Sequence, residues 1–470
     1  MDFLRTPLVD LAAQVRSGAV SAREVTGHAL ARIEALNPTL HAFVAVDGER
    51  ALEQAAAVDQ VVAAGGDPGP LAGVPIGVKD NEDAAGYRTT HGSALFAGSP
   101  VAEQDSSHVE RLRAAGCVVV GKTNLPELSW SANTANEIFG TTCNPWDTTR
   151  STGGSSGGTA AALAAGMVPL ATGSDGGGSI RIPSACCGLS GFKPSLGRVP
   201  SGGAEGPGWI DLSSKGPMAR TVADTVAALD AVVGPDPTDL RSLPRPEASW
   251  PHVLDDPHLP ARVAWSPTLG YAEPDAEVLA VCERAVALMS SLGADVVEVD
   301  TVFDVDPVGS WLTYVAACVL RTVEPHRDDP AWARVDPLLA AVVDHARSTT
   351  ARELVEAIDE CHRLNLALVG LFHDVRLLVT PTTAAAAPPL SLNGSGVVNG
   401  EVTPNWVRYT YPFNMTRSPA ASVCAGLTAD GVPVGIQLVG PQHGDLVVLR
   451  SAAALEAALG FDELAPVGAD

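Results

Sequence analysis

The chain has 470 residues and a formal net charge of −24. Acidity of that size repels phosphate backbones, and no Lys/Arg cluster offsets it, so no nucleic-acid partner is expected. The eight cysteines lack any CxxC spacing, which argues against a metal site and a disulfide framework and for buried free thiols in a reducing compartment. The start MDFLRTPLVDLAAQ is not a signal peptide, and no uncharged apolar stretch of ~18 residues occurs. The chain therefore reads as cytoplasmic, with no membrane span. Self-association into a homo-oligomer is compatible with the sequence and not decided by it.

Lysine usage narrows the search for chemistry. Of 30 basic residues only four are lysines: Lys79, Lys122, Lys193 and Lys215. Arginine cannot be deprotonated, so it cannot replace a lysine that serves as a base. All four survivors fall between residues 79 and 215.

In chain order, Ser21-Ala-Arg-Glu24 is a capping box opening a helix with Val25, Ala29 and Ile33 on one face, stopped at Asn37-Pro38. A second helix is predicted over 48–64, ending at Gly65-Gly66. Val74 to Val78 then forms a short apolar strand that delivers Lys79. A helix over 106–115 capped by Ser106 precedes the strand Cys117 to Val120. From 143 to 216 the composition turns to Gly, Ser and Pro, yet the apolar runs Ala160–Ala165 and Val168–Ala171 mark it as folded. Helices follow over 221–233 and 275–292, with strands over 296–299 and 375–381 and a hairpin over 421–440 turning at Asp430-Gly431. Alternating helix and strand argues an α/β fold.

Two Gly-rich segments carry the candidate chemistry. Gly153-Gly-Ser-Ser-Gly-Gly158 lacks the Lys-Ser/Thr ending of a phosphate loop. It formally matches GxSxG, but no buried strand runs into it, as a nucleophile elbow requires. In the second segment, Gly176, Gly177 and Gly178 precede Ser179. Without side chains, successive backbone N–H groups can converge on one point, where each donor is worth roughly 2.7–4 kcal/mol to a developing oxyanion. The run Met167 to Thr172 is predicted as the strand presenting this loop, and Ile180 onward as a helix whose dipole adds to the field. No histidine lies within either segment; His91 and His108 sit well upstream. A lysine base must be neutral, which burial can achieve, and Lys79 ends an apolar strand. Asp80 beside it opposes neutrality unless its side chain turns away.

Leu71 to Asp80, Gly121-Lys-Thr-Asn124, Asn144-Pro-Trp146, Gly153 to Gly158, Asp175 to Pro183 and Gly191-Phe-Lys-Pro194 together resemble the amidase signature family. The resemblance resumes at Val379-Thr-Pro-Thr382 and from Tyr411 to Ser422. It implies one large α/β domain over 1–470 with a mixed, twisted β-sheet core surrounded by helices. The signature core would span about 70–233 and a more variable substrate side about 235–415. It also implies a Ser–cisSer–Lys triad without metal or cofactor: Ser179 as acylated nucleophile, Ser155 as proton shuttle and Lys79 as general base. Gly176, Gly177, Gly178 and Ser179 would form the oxyanion hole, with Asp175, Arg181 and Ser156 bracing the loops. Gly176 stands where the family often has a bulkier residue, which predicts a larger acyl pocket. Lys122 and Lys193 read as structural, and Lys215 as a surface or loop residue.

The expected activity is hydrolysis of small amides, apolar or aryl, with anilides, carbamates and esters sharing the chemistry. Pocket walls are expected from Trp130–Phe139, Gly203–Leu212, Trp311–Val323 and Ala384–Trp406, with Trp130 and Trp209 as candidate substrate contacts. The rival reading is the glutaminase subunit of a tRNA-dependent amidotransferase. A penicillin-binding-type acylase, suggested by Ser190-Gly-Phe-Lys193, is disfavoured because Gly191 and Pro194 suit no helix start.

Overall fold

The computed structural model describes residues 1–203, 208–247 and 249–468. Two mixed β-sheets occupy its centre. The first runs in the order Phe43–Val46, Val118–Thr123, Pro75–Lys79, Leu170–Asp175 and Ser214–Met218. Its middle three strands are parallel and its two edge pairings antiparallel. The second runs Asp295–Glu298, Arg262–Trp265, Leu378–Pro381, Pro433–Val439, Ala420–Leu427 and Gly191–Lys193. The edge strands Ser214–Met218 and Gly191–Lys193 lie against each other, so the β core is continuous in space though divided in its hydrogen bonding.

Burial explains why the central strands read as unbroken apolar runs. Every residue of Pro75–Lys79, Val118–Thr123 and Leu170–Asp175 is buried, because helices cover the sheet. One of these, Gly157–Ala164, is buried along its whole length and packs on both the Lys79 strand and Leu170–Asp175. A second apolar cluster, containing Tyr314, Val319, Leu339, Leu364 and Phe413, joins helices Val308–Val323 and Ala351–Asp374 to the site's outer wall.

The structure moves some expected boundaries. The first capped helix has the full Ser21–Glu24 capping box but runs Ala22–Leu40, through Pro38. Proline in a last turn forfeits one backbone bond. Asn37 then ties the helix end to the following strand, its Oδ1 accepting from Phe43 N at 2.7 Å and its Nδ2 donating to Phe43 O at 3.0 Å. The strand expected over Met167–Thr172 is Leu170–Asp175. Gly166 adopts φ +63 and closes the preceding helix, which delays the strand and carries it directly to Asp175. All eight cysteines are free. Among the described residues, no helix is long and apolar enough to cross a membrane.

Candidate active site

Lys79 is the last residue of the central strand and is fully buried. Its Nζ lies 2.8 Å from Ser155 Oγ and 3.0 Å from Ser174 Oγ. Burial pushes its ammonium down to about 7, against the opposing pull of Glu82 and Asp175. Asp80 turns away from the amine: its carboxylate pairs with Lys122 Nζ at 3.2 Å and accepts from the Thr90 hydroxyl.

Ser155 follows a cis peptide bond after Gly154 and is fully buried. Close approach explains the glycines around it. A Cβ at Gly154 would stand 2.6 Å from Ser131 O, and one at Gly158 2.4 Å from Asn124 N. Ser156 ties this loop to the next, its N–H donating to Ser179 O at 3.2 Å and its Oγ to Ser174 O at 3.4 Å.

The loop from Asp175 to Arg181 is held from both sides. The Asp175 carboxylate accepts from Gly178 N at 2.7 Å and from Arg181 Nε and Nη2 at 2.9 and 2.8 Å. Burial alone would raise this carboxyl, but the Arg181 guanidinium outweighs it and holds the group well below the usual carboxylate range. Arg181 reaches further, to Thr410 O, Gln437 Oε1 and Asn414 Oδ1 at 2.9, 2.7 and 2.7 Å. Thr410 Oγ1 donates to Gly177 O at 2.6 Å, and Trp311 Nε1 donates to Gly176 O at 3.1 Å. The amides of Gly176, Gly177 and Ser179 make no hydrogen bond to a described residue. Gly178 differs from the sequence expectation: its N–H is engaged by Asp175 and is not free for an incoming oxygen. Its φ of +125 is what lets the loop turn this amide inward to the carboxylate.

Ser155, Ser174 and Ser179 line one cavity of about 390 Å³. Leu128, Trp209 and Val319 form its apolar wall, and Asn81, Glu82, His91 and Lys215 part of its polar side. The space left by Gly176 does not enlarge this cavity. A Cβ there would stand 2.4 Å from Trp209, so the indole already fills it. Trp311 likewise occupies the space beside Gly177. Trp130 does not line the cavity; it stacks on Trp311 at 6.5 Å, as Tyr411 does at 5.4 Å. The expected wall segment 203–212 includes 204–207, which lie outside the described residues.

Lys215 is not the surface or loop residue its sequence context suggested. It sits in the strand Ser214–Met218, with Nζ 3.1 Å from the buried Glu82 Oε2. Burial would raise Glu82, but Lys215 and His108 together hold its carboxyl well below the ordinary range. Asn81, Glu82, Trp311 as a carbonyl donor, and the Thr410–Gln437 braces were not singled out from sequence. Asn81 and Glu82 could have been, since both follow Lys79 within one turn. Among the described residues no His/Cys/Asp/Glu group could hold a metal ion.

A model of the amidase family matches residues 24–449. The chain belongs to the amidase signature family. This amidase is 37% identical over 454 residues to an acylamidase from Rhodococcus erythropolis, covering 95% of this chain and 94% of that one. It is 35% identical over 496 residues to a glutamyl-tRNA(Gln) amidotransferase subunit from Synechococcus sp. (strain RCC307), covering 97% and 96%. Its fold matches the crystal structure of a bacterial aryl acylamidase of the same family with a TM-score of 0.89, at 29% identity over 96% of each chain. The amidase is a hydrolase of carbon–nitrogen bonds in linear amides.

Proposed function

We propose that the enzyme cleaves apolar or aryl amides through an acyl-enzyme on Ser179, with Ser155 relaying the proton and Lys79 as base. The observation that carries this reading is the buried Lys79 amine, lowered to about 7 and 2.8 Å from Ser155 Oγ. A neutral amine accepts the Ser155 proton, and Ser155 in turn accepts the proton of Ser179 as its Oγ attacks the carbonyl. The N–H groups of Gly176, Gly177 and Ser179, which bond to no described residue, are available to the oxyanion. The proton then returns through Ser155 to the departing nitrogen, which leaves only once protonated. Water repeats the sequence to release the acid.

The substrate class rests on the wall of Leu128, Trp209 and Val319, an apolar face suited to a planar ring or alkyl chain. The acylamidase and aryl acylamidase relatives support it. Kinship with the amidotransferase protein supports a glutaminase reading, but its small polar substrate would leave that wall unfilled. Fluorophosphonate labelling with peptide mapping tests the nucleophile: the adduct belongs on Ser179, and one on Ser155 overturns the assignment. A turnover panel of aryl amide, alkyl amide, carbamate, ester and glutamine tests the substrate class, with the aryl amide expected first and glutamine last.

A further inference from the structure

Among the described residues, ten that are not glycine hold a left-handed backbone, and three of them, His91, Leu128 and Ser129, line the catalytic cavity. Such a backbone costs free energy, above all for a bulky leucine, and it gathers at sites that need a side chain in one place. Two backbone bonds join these residues to the relay. His91 N–H donates to Asp80 O, next to Lys79, at 3.0 Å, and Leu128 N–H donates to His91 O at 2.8 Å. The His91 ring packs edge-on against Phe96, with centroids 5.4 Å apart, which holds its plane. The residue is half-buried, and neither ring nitrogen is sealed from solvent or hydrogen-bonded to a described residue. Burial lowers its basicity against the pull of Asp80, so the ring is neutral, with one donor and one acceptor nitrogen.

The cavity thus sets an open imidazole beside the apolar Leu128 side chain, and the relay uses neither. A charged ligand group would be poorly solvated next to Leu128. A hydroxyl both donates and accepts, so it matches the neutral imidazole in either tautomer. We infer that His91 is a specificity-determining residue that hydrogen-bonds a hydroxyl on the aromatic ring of an aryl amide, while Leu128 packs on that ring. This rests on the aryl-amide reading and deepens it. No bond is made or broken by His91. A hydroxybenzoyl amide and a hydroxyanilide present the same chemistry, so both enter the test.

The test compares kcat/KM for ring-hydroxylated aryl amides with that for the matching methyl-substituted ones, in ortho, meta and para series. One arm carries the substituent on the acyl ring and the other on the amine ring. In wild-type enzyme at least one hydroxyl isomer should exceed its methyl partner by about tenfold, the worth of one neutral hydrogen bond. In His91→Phe, which keeps a ring against Phe96 without ring nitrogens, that ratio should fall about tenfold. His91→Asn suits a left-handed backbone and keeps a donor and an acceptor, so it should retain part of the preference. Wild-type enzyme that prefers no hydroxyl isomer by more than about threefold overturns the inference, even if His91→Phe fails to fold. An equal loss for hydroxyl and methyl substrates in His91→Phe also overturns it and leaves the residue as a prop for Leu128. Turnover of the methyl-substituted amides separates the two levels. With it and no hydroxyl preference, only the role of His91 fails; without any aryl turnover, the aryl reading fails as well.

Discussion

Lys79 and Lys193 are both fully buried, and burial pushes both ammonium groups down to about 7. Each closes a short strand, one in each sheet. Their neighbours differ. Lys79 Nζ meets two hydroxyls, and those serines line an open cavity. Lys193 Nζ donates to the carbonyl of Pro194 at 3.0 Å and lines no part of that cavity. A carbonyl oxygen has no proton to give, so a neutral amine there has nothing to accept. Desolvation makes an amine available as a base; a hydroxyl within reach, open to substrate, makes it one.

The largest effect that could break this contrast is at Lys79. Lys79→Ala and Lys79→Arg should each lower kcat/KM for an aryl amide by about 10⁴-fold or more, since neither side chain can accept a proton. A tenth of wild-type activity in Lys79→Arg would remove the lysine base altogether. Next in size is the pH profile. A base that must be neutral makes kcat/KM rise about tenfold per unit below pH 7 and level off above it, following the lowered value near 7. A flat profile from pH 6 to 9 contradicts it.

A smaller effect sharpens the electrostatics. The Lys215 charge helps depress Lys79, while Glu82 opposes it. Lys215→Met should therefore move the midpoint upward by about half a unit, read from the same profile. The smallest change in activity is expected at Lys193. Lys193→Met should keep kcat/KM within about threefold and raise stability at pH 7 by about 1–4 kcal/mol, because a poorly matched buried cation is removed. The sign with pH is fixed by linkage. The folded value near 7 lies below the ordinary 10.5, so between these values the unfolded chain binds more protons and stability rises with pH. Denaturant melts from pH 7 to 10 should show a shallower rise in Lys193→Met than in wild type.

Much of the site was legible because its parts are local. An apolar run ending in a rare lysine, and glycines crowded before a serine, keep their meaning wherever the chain carries them. The helix caps at Ser21 and Ser106 were legible for the same reason, each accepting from an N–H three residues on. Lys215 was misread because nothing beside it in sequence betrays Glu82, 133 positions earlier.

The sequence by itself determined which residue types could do acyl transfer and the short segments that present them, since propensity, capping and glycine freedom act over a few residues. Tertiary structure decided which of those groups are free to act. Trp311 anchors Gly176 O from 135 residues away and Thr410 anchors Gly177 O from 233, while Asp175 withdraws the Gly178 amide. Two lysines with the same lowered basicity differ in what packs against each nitrogen: two cavity-lining serine hydroxyls at Lys79, a backbone carbonyl at Lys193. Such contacts join distant stretches of chain, and no local pattern encodes them.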